Sequence, residues 1–206
     1  MLKRLFGSSK QEIASPDAII IVSGLPRSGT SMMMNMLKAG GIETLTDGIR
    51  EADIDNPEGY YEFERVKQLP KGDDGWLADT RGKAVKVIAP LLEYLPNEYT
   101  YRVILMRRQM NEILASQKRM LAHRGEDSDR VDDRELSMLF ERHLAQVQKW
   151  LEGRSRTEVL HVDYNEMLID PLPHVRRVAG FLGRELDQEA MAQVIDPKLY
   201  RNRSGT

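Results

Sequence analysis

The stretch that runs through Ala18-Ile-Ile-Ile-Val-Ser23, Gly24-Leu-Pro-Arg27-Ser28-Gly29 and Thr30-Ser31-Met-Met-Met-Asn-Met-Leu-Lys-Ala39 decides the fold. Its first six residues are a short, β-branched apolar run closed by glycine, which predicts a parallel strand buried on both faces. Its last ten are apolar and unbranched and stop at Gly40-Gly41, so they predict a helix with a glycine terminator. Strand, glycine loop and helix are consecutive. The first N–H groups of such a helix lack intrahelical partners, so the loop is where an anion would be held.

Further along the chain, buried strands are predicted at Lys83 to Ile88, Arg102 to Met106 and Thr157 to Val162. Helical stretches follow them at Pro90 to Tyr94, Gln109 to Ala122 and Pro171 to Leu182. Strands alternating with helices require right-handed crossovers, so the expected fold class is α/β. It is a three-layer sandwich around a central parallel sheet, P-loop-like, with ligands at the carboxyl ends of the strands. Residues 1–16 read as an N-terminal extension and residues 17–206 as a single domain, within which the acidic, aperiodic 123–134 region is a mobile loop between helices.

Composition narrows the chemistry. The 206 residues, 41% of them hydrophobic, suffice for one sizeable core. Lys and Arg number 30 against 32 Asp and Glu, a net charge of -2, so no nucleic-acid partner is expected and any anion site must be local. Cysteine is absent, which excludes a disulfide framework, a thiolate nucleophile and a Cys-ligated metal; the four histidines leave little for other metals, and none is expected. In the opening MLKRLFGSSKQE only Leu5 and Phe6 form an apolar pair, too little for a signal peptide or a membrane span, which predicts a cytoplasmic protein.

A triphosphate-binding loop reads G-x-x-x-x-G-K-[ST], but here Gly29 is followed by Thr30, so the lysine that reaches the β- and γ-phosphates is missing and ATP or GTP hydrolysis is disfavoured. The cation stands inside the loop as Arg27, where it can neutralise a bridging or leaving-group oxygen. Ser28, Gly29, Thr30 and Ser31 offer N–H and hydroxyl donors to one phosphate. The competing reading is a polar turn whose Ser and Thr side chains cap the helix.

With the loop PRSGTS, the chain resembles the sulfotransferases that use 3′-phosphoadenosine 5′-phosphosulfate (PAPS), especially the short bacterial members, whose 5′-phosphosulfate loop has Lys or Arg before Ser-Gly-Thr. A second block agrees. Arg108 ends a strand and Ser116 follows in RQMNEILAS, at the separation with which the family holds the donor's 3′-phosphate. A third is Val162-Asp-Tyr-Asn-Glu-Met-Leu-Ile-Asp-Pro171 with Phe181-Leu-Gly183, similar to the family's strand, turn and helix end. The resemblance implies in-line transfer of a sulfuryl group from PAPS to a hydroxyl or amine of a small-molecule, carbohydrate or lipid acceptor, without a metal. Adenosine 3′,5′-bisphosphate is the product.

Two departures qualify the resemblance. Lys86-Val-Ile88-Ala-Pro90 aligns with a Lys-Thr-His-x-Pro stretch in which the His takes the acceptor's proton, and isoleucine cannot accept one. Lys86 remains to stabilise charge on the transferring group. Other branches use a Glu after the first helix, and Asp53-Ile-Asp-Asn-Pro-Glu-Gly-Tyr-Tyr-Glu62 fits that place. Glu62, after two tyrosines and at the start of a helical register, is the expected base; Asp55, Glu58 and His123 are the alternatives. The family's C-terminal Arg-Lys-Gly segment is also missing, with Arg201 and Arg203 as possible substitutes. A P-loop small-molecule kinase and a catalytically inactive nucleotide-binding module remain as competing functions.

Overall fold

The computed structural model describes residues 17–50, 52–53, 56, 59–127 and 132–195. The N-terminal extension, Asp55, Glu58, Arg201 and Arg203 lie outside the described residues, as do residues 128–131 of the loop expected at 123–134.

Five parallel strands form one sheet in the order β2-β3-β1-β4-β5, with β1 Ile19–Gly24, β2 Thr44–Leu45, β3 Ala84–Lys86, β4 Tyr101–Arg107 and β5 Thr157–Asp163. Central β1 is buried throughout and pairs with both β3 and β4, as its continuous apolar run predicts. Its side chains alternate between two cores. Ile20 and Val22 pack with Met33, Met34, Met167, Val175 and Val178 from helices on one face. Ile19 and Ile21 pack with Trp76, Leu77, Leu92 and Val147 on the other. The first face carries α1 Thr30–Ala39, α4 Tyr164–Ile169, α5 Pro171–Leu182 and α6 Gln188–Gln193. The second carries α3 Asp133–Glu152 and 3₁₀ segments at Glu64–Lys71, Gly75–Thr80 and Ala89–Tyr94. A third, smaller cluster of Leu25, Ile113 and Phe140 ties the loop after β1 to α2 Met110–His123 and to α3.

Several elements differ from expectation for local reasons. Pro90 to Tyr94 is 3₁₀ rather than α-helical, and β3 ends at Lys86, so Ile88 caps the following turn instead of closing the strand. The register expected to begin at Glu62 starts only at Glu64 and is 3₁₀; Pro70 within it has no N–H to continue an α-helical ladder. The two-residue edge strand β2 has too short an apolar signal to be read from sequence. Among the described residues no helix is long and apolar enough to cross a membrane.

Gly29 fixes how closely the loop after β1 meets the rest of the fold. Its φ of 97° is left-handed, and a Cβ there would lie 2.3 Å from the Tyr164 ring. Gly29→Ala should therefore destabilise the protein by about 2 to 4 kcal/mol, the combined scale of overpacking and a left-handed alanine. Gly180→Ala, in a helix with open space around the new methyl group, should be neutral or stabilising by up to about 1 kcal/mol. Urea unfolding of the two variants tests the contrast, and equal effects would contradict this packing.

Candidate active site

The carboxyl ends of β1, β3 and β4 open into a cleft of about 450 Å³. Arg27, Gly29, Thr30, Ser31, Glu62, Lys86, Arg108 and Ser116 all line it. Ser28 does not: its N–H and its hydroxyl both donate to Leu25 O, at 3.2 and 2.7 Å, so it closes the loop from beneath.

The loop leaves donors for a ligand. The N-cap of α1 is Gly29, and no side chain caps the helix, so the reading of Ser and Thr as capping groups does not hold. The first N–H groups of α1 therefore keep their capacity for an anion at the cleft floor. Arg27 has a φ of 66°, a conformation that costs a non-glycine residue about 1 to 2 kcal/mol. Two contacts hold it. Its Nε donates to Ser116 Oγ at 2.9 Å, and its carbonyl accepts from Arg108 Nη1 at 3.1 Å. The loop and the Arg108/Ser116 block, 81 and 89 residues apart in sequence, thus meet on one residue.

Arg108 is itself fixed by residues that sequence reasoning missed. Its Nε donates to Glu112 Oε2 at 3.0 Å, and both side chains are buried. Asn165 Nδ2 donates to the same oxygen at 2.9 Å, and the Tyr164 ring lies 4.5 Å from the guanidinium. The Arg-x-x-x-Glu spacing, one helical turn, was the available signal for this pair.

Across the cleft, Glu62 stands among three cations. Arg50 Nη1 donates to its Oε1 at 2.6 Å, Lys86 Nζ is 3.9 Å from Oε1, and Lys67 Nζ is 3.8 Å from Oε2. Arg50 also stacks on Tyr60, its guanidinium carbon 3.3 Å from the ring centroid. Nothing in the local sequence pattern singled out Arg50 or Lys67. Lys86 is buried and donates to Tyr60 O, which also accepts from Ser31 Oγ at 3.4 Å. Burial pushes the Lys86 ammonium down to about 8, opposed by the Glu62 charge. Tyr60 is shifted upward by burial and by its hydroxyl's bond to Asp53.

The large apolar side chains nearby mostly pack away from the cleft. Met33, Met34 and Met36 are core, leaving Met32 at the cleft, and Trp76 is buried in the opposite core. His123, His143, His161 and His174 are not among the cleft's lining residues. Ile88 lines the cleft and is 40% exposed.

The chain matches the family model described as "Sulfotransferase domain" over residues 16–204. No curated protein matches it. Among solved structures it is similar to mouse sulfotransferase SULT7A1 complexed with PAP, with a TM-score of 0.53 and 20% identity, covering 91% of this chain and 68% of that one. Looser likenesses are the sulfotransferase domain from the Curacin biosynthetic pathway (TM-score 0.48, 15% identity, 92% and 78% covered) and a sulfotransferase from Alicyclobacillus acidocaldarius (0.45, 17%, 88% and 87%). At these identities the likeness is one of fold.

The buried Lys86 carries a stability signature of its own. Its folded value, about 8, lies below the ordinary 10.5, so between those limits the unfolded chain holds a proton that the folded chain has released. Stability from this group therefore rises with pH across that window, and the cost of the buried charge is fully present below pH 8. Lys86→Met should stabilise the fold at pH 7, by up to about 3 kcal/mol for a shift of this size, and flatten the rise between pH 8 and 10. Urea titrations across that range test it; an unchanged pH dependence would mean that Lys86 is not the titrating group.

Proposed function

Because the chain belongs to the sulfotransferase family and is a sulfuryl-transferring enzyme, we propose that its donor is PAPS and that the cleft at the ends of β1, β3 and β4 is where transfer occurs. One observation carries the reading. Arg27, Lys86, Arg108 and Ser116, drawn from three separate stretches of chain, meet around a helix N-terminus that has no P-loop lysine.

On this reading the N–H groups of Gly29, Thr30 and Ser31, with Arg27, hold the 5′-phosphosulfate, Ser28 shapes the loop that presents them, and Arg108 and Ser116 recognise the 3′-phosphate. An acceptor hydroxyl or amine attacks sulfur in line. The bond from sulfur to the 5′-phosphate oxygen breaks, Arg27 and Lys86 balance the charge growing on that oxygen, and adenosine 3′,5′-bisphosphate leaves. Glu62 takes the acceptor's proton. Support for that role is positional: Oε1 is held by Arg50, while Lys67 stands 3.8 Å from Oε2, beyond hydrogen-bond reach, so Oε2 keeps lone pairs for a proton.

Fixed cations do here what a metal does for a triphosphate, so no metal takes part. The acceptor is a small molecule, a carbohydrate or a lipid, not a nucleic acid. The catalytic unit is one domain spanning 17–206, acting in the cytoplasm.

The decisive assay compares transfer of labelled sulfate from PAPS in the presence of EDTA with transfer of labelled phosphate from ATP and Mg²⁺. Sulfate transfer that is indifferent to chelator is expected; Mg²⁺-dependent phosphate transfer alone would overturn the reading. Donor binding with no turnover on any acceptor would favour an inactive module. Glu62→Gln should keep donor affinity and lose about 10²- to 10⁴-fold in turnover, the usual loss for a general base. Near-normal turnover would return the role to Asp55, Glu58 or His123. In wild type, turnover should fall as pH rises through about 8, where Lys86 loses its charge, and Lys86→Met should lack that limb.

A further inference from the structure

The 3′-phosphate assignment leaves a charge deficit. A phosphate monoester carries nearly two negative charges at neutral pH. Of the two residues assigned to it, Ser116 is neutral and its hydroxyl already accepts from Arg27 Nε at 2.9 Å. The charge of Arg108 is matched by Glu112 at 3.0 Å, with the two side chains only 6% and 2% exposed. A second Arg108 nitrogen, Nη1, donates to the Arg27 carbonyl. The pair therefore offers direction to the phosphate but no net positive charge.

The next turns of α2 hold what is missing. Arg119 and Arg124 line the same cleft as Ser116, and both are exposed. Among the described residues, neither side chain makes an ion pair or a hydrogen bond. At 100° per residue, Arg119 stands about 60° to one side of Ser116 and Arg124 about 80° to the other, so all three share one face of the helix. Arg119 is about one turn beyond Ser116, and Arg124 about 12 Å further along the axis than Ser116, within reach of long guanidinium side chains that bend back. Met120, between them on that face, also lines the cleft.

We propose that Arg119 and Arg124 complete the 3′-phosphate site from α2, supplying the positive charge that Arg108 has given to Glu112. The inference rests on the reading of PAPS as donor. It places recognition of the nucleotide's third charged group on α2 and the residues that flank it, without recourse to the chain's C-terminal arginines.

Calorimetry with adenosine 3′,5′-bisphosphate and with AMP, on the unaltered protein and on Arg119→Gln, Arg124→Gln and the double variant, tests the proposal. The unaltered protein should prefer the bisphosphate. The double variant should lose about tenfold or more in affinity for it, the scale of hydrogen bonds to charged groups, with AMP affinity changed less than twofold. Binding of the bisphosphate should also depend less on salt in the double variant. An undiminished preference in the double variant would overturn the proposal, as would equal losses for both nucleotides. Intact donor affinity with a raised KM for acceptor would overturn it too, and assign the arginines to an anionic acceptor. If the unaltered protein binds the two nucleotides equally, the donor reading itself fails.

Discussion

The buried ion pair between Arg108 and Glu112 holds the loop after β1 in place. Two charges taken out of water are costly to bury, and this pair is compensated by further contacts: Asn165 donates to Glu112, the Tyr164 ring covers the guanidinium, and Arg108 donates to the Arg27 carbonyl. Through these bonds one interaction reaches the end of β4, the first turn of α2, the loop after β1 and the start of α4. Removing one partner of such a pair costs about 3 to 5 kcal/mol, because the other charge is left uncompensated. The left-handed conformation of Arg27 persists on this support, and with it the open N-terminus of α1.

The cleft concentrates charge that the whole chain lacks. Among the described residues its lining carries Arg27, Arg50, Lys67, Lys86, Arg108, Arg119 and Arg124 against one carboxylate, Glu62, in a protein whose net charge is -2. Walls of low dielectric focus such a field and draw anions toward it. The crowding also has a cost. Lys86 is held near its titration point by burial, and Glu62 offsets that burial rather than acting as an isolated acid. A dianionic ligand in the cleft would add counter-charge to this mostly cationic lining.

Ile88 bears on which residue takes the acceptor's proton in the proposed reaction. It stands just past β3 on the cleft wall, where it offers surface but no lone pair. In the proposed reaction the proton acceptor comes from another wall, where the chain brings Glu62 to within 3.9 Å of Lys86. Around Glu62 the described residues 59–63 belong to no helix or strand and are pinned by the stacking of Arg50 on Tyr60 and by the bond from Tyr60 to Asp53. Their geometry thus depends on side-chain contacts.

Much of this was legible in the sequence because its signals are local. The β-branched run before Gly24, the Gly29-Thr30 junction and the Arg108 to Ser116 spacing each lie within one element or one loop, where periodicity and hydrogen-bonding rules act directly. They determined the parallel sheet, the strand–loop–helix unit and which of these residues line the cleft. The tertiary structure alone decided three things: that Ser28 turns under the loop, that Glu62 sits in a ring of cations, and that Arg108 shares its charge with Glu112 while Arg119 and Arg124 share theirs with no described residue. The physical reason is distance. Charge balance and desolvation are summed over neighbours in space, such as Asn165 beside Glu112 or Tyr60 beside Lys86, and those neighbours are tens of residues apart along the chain.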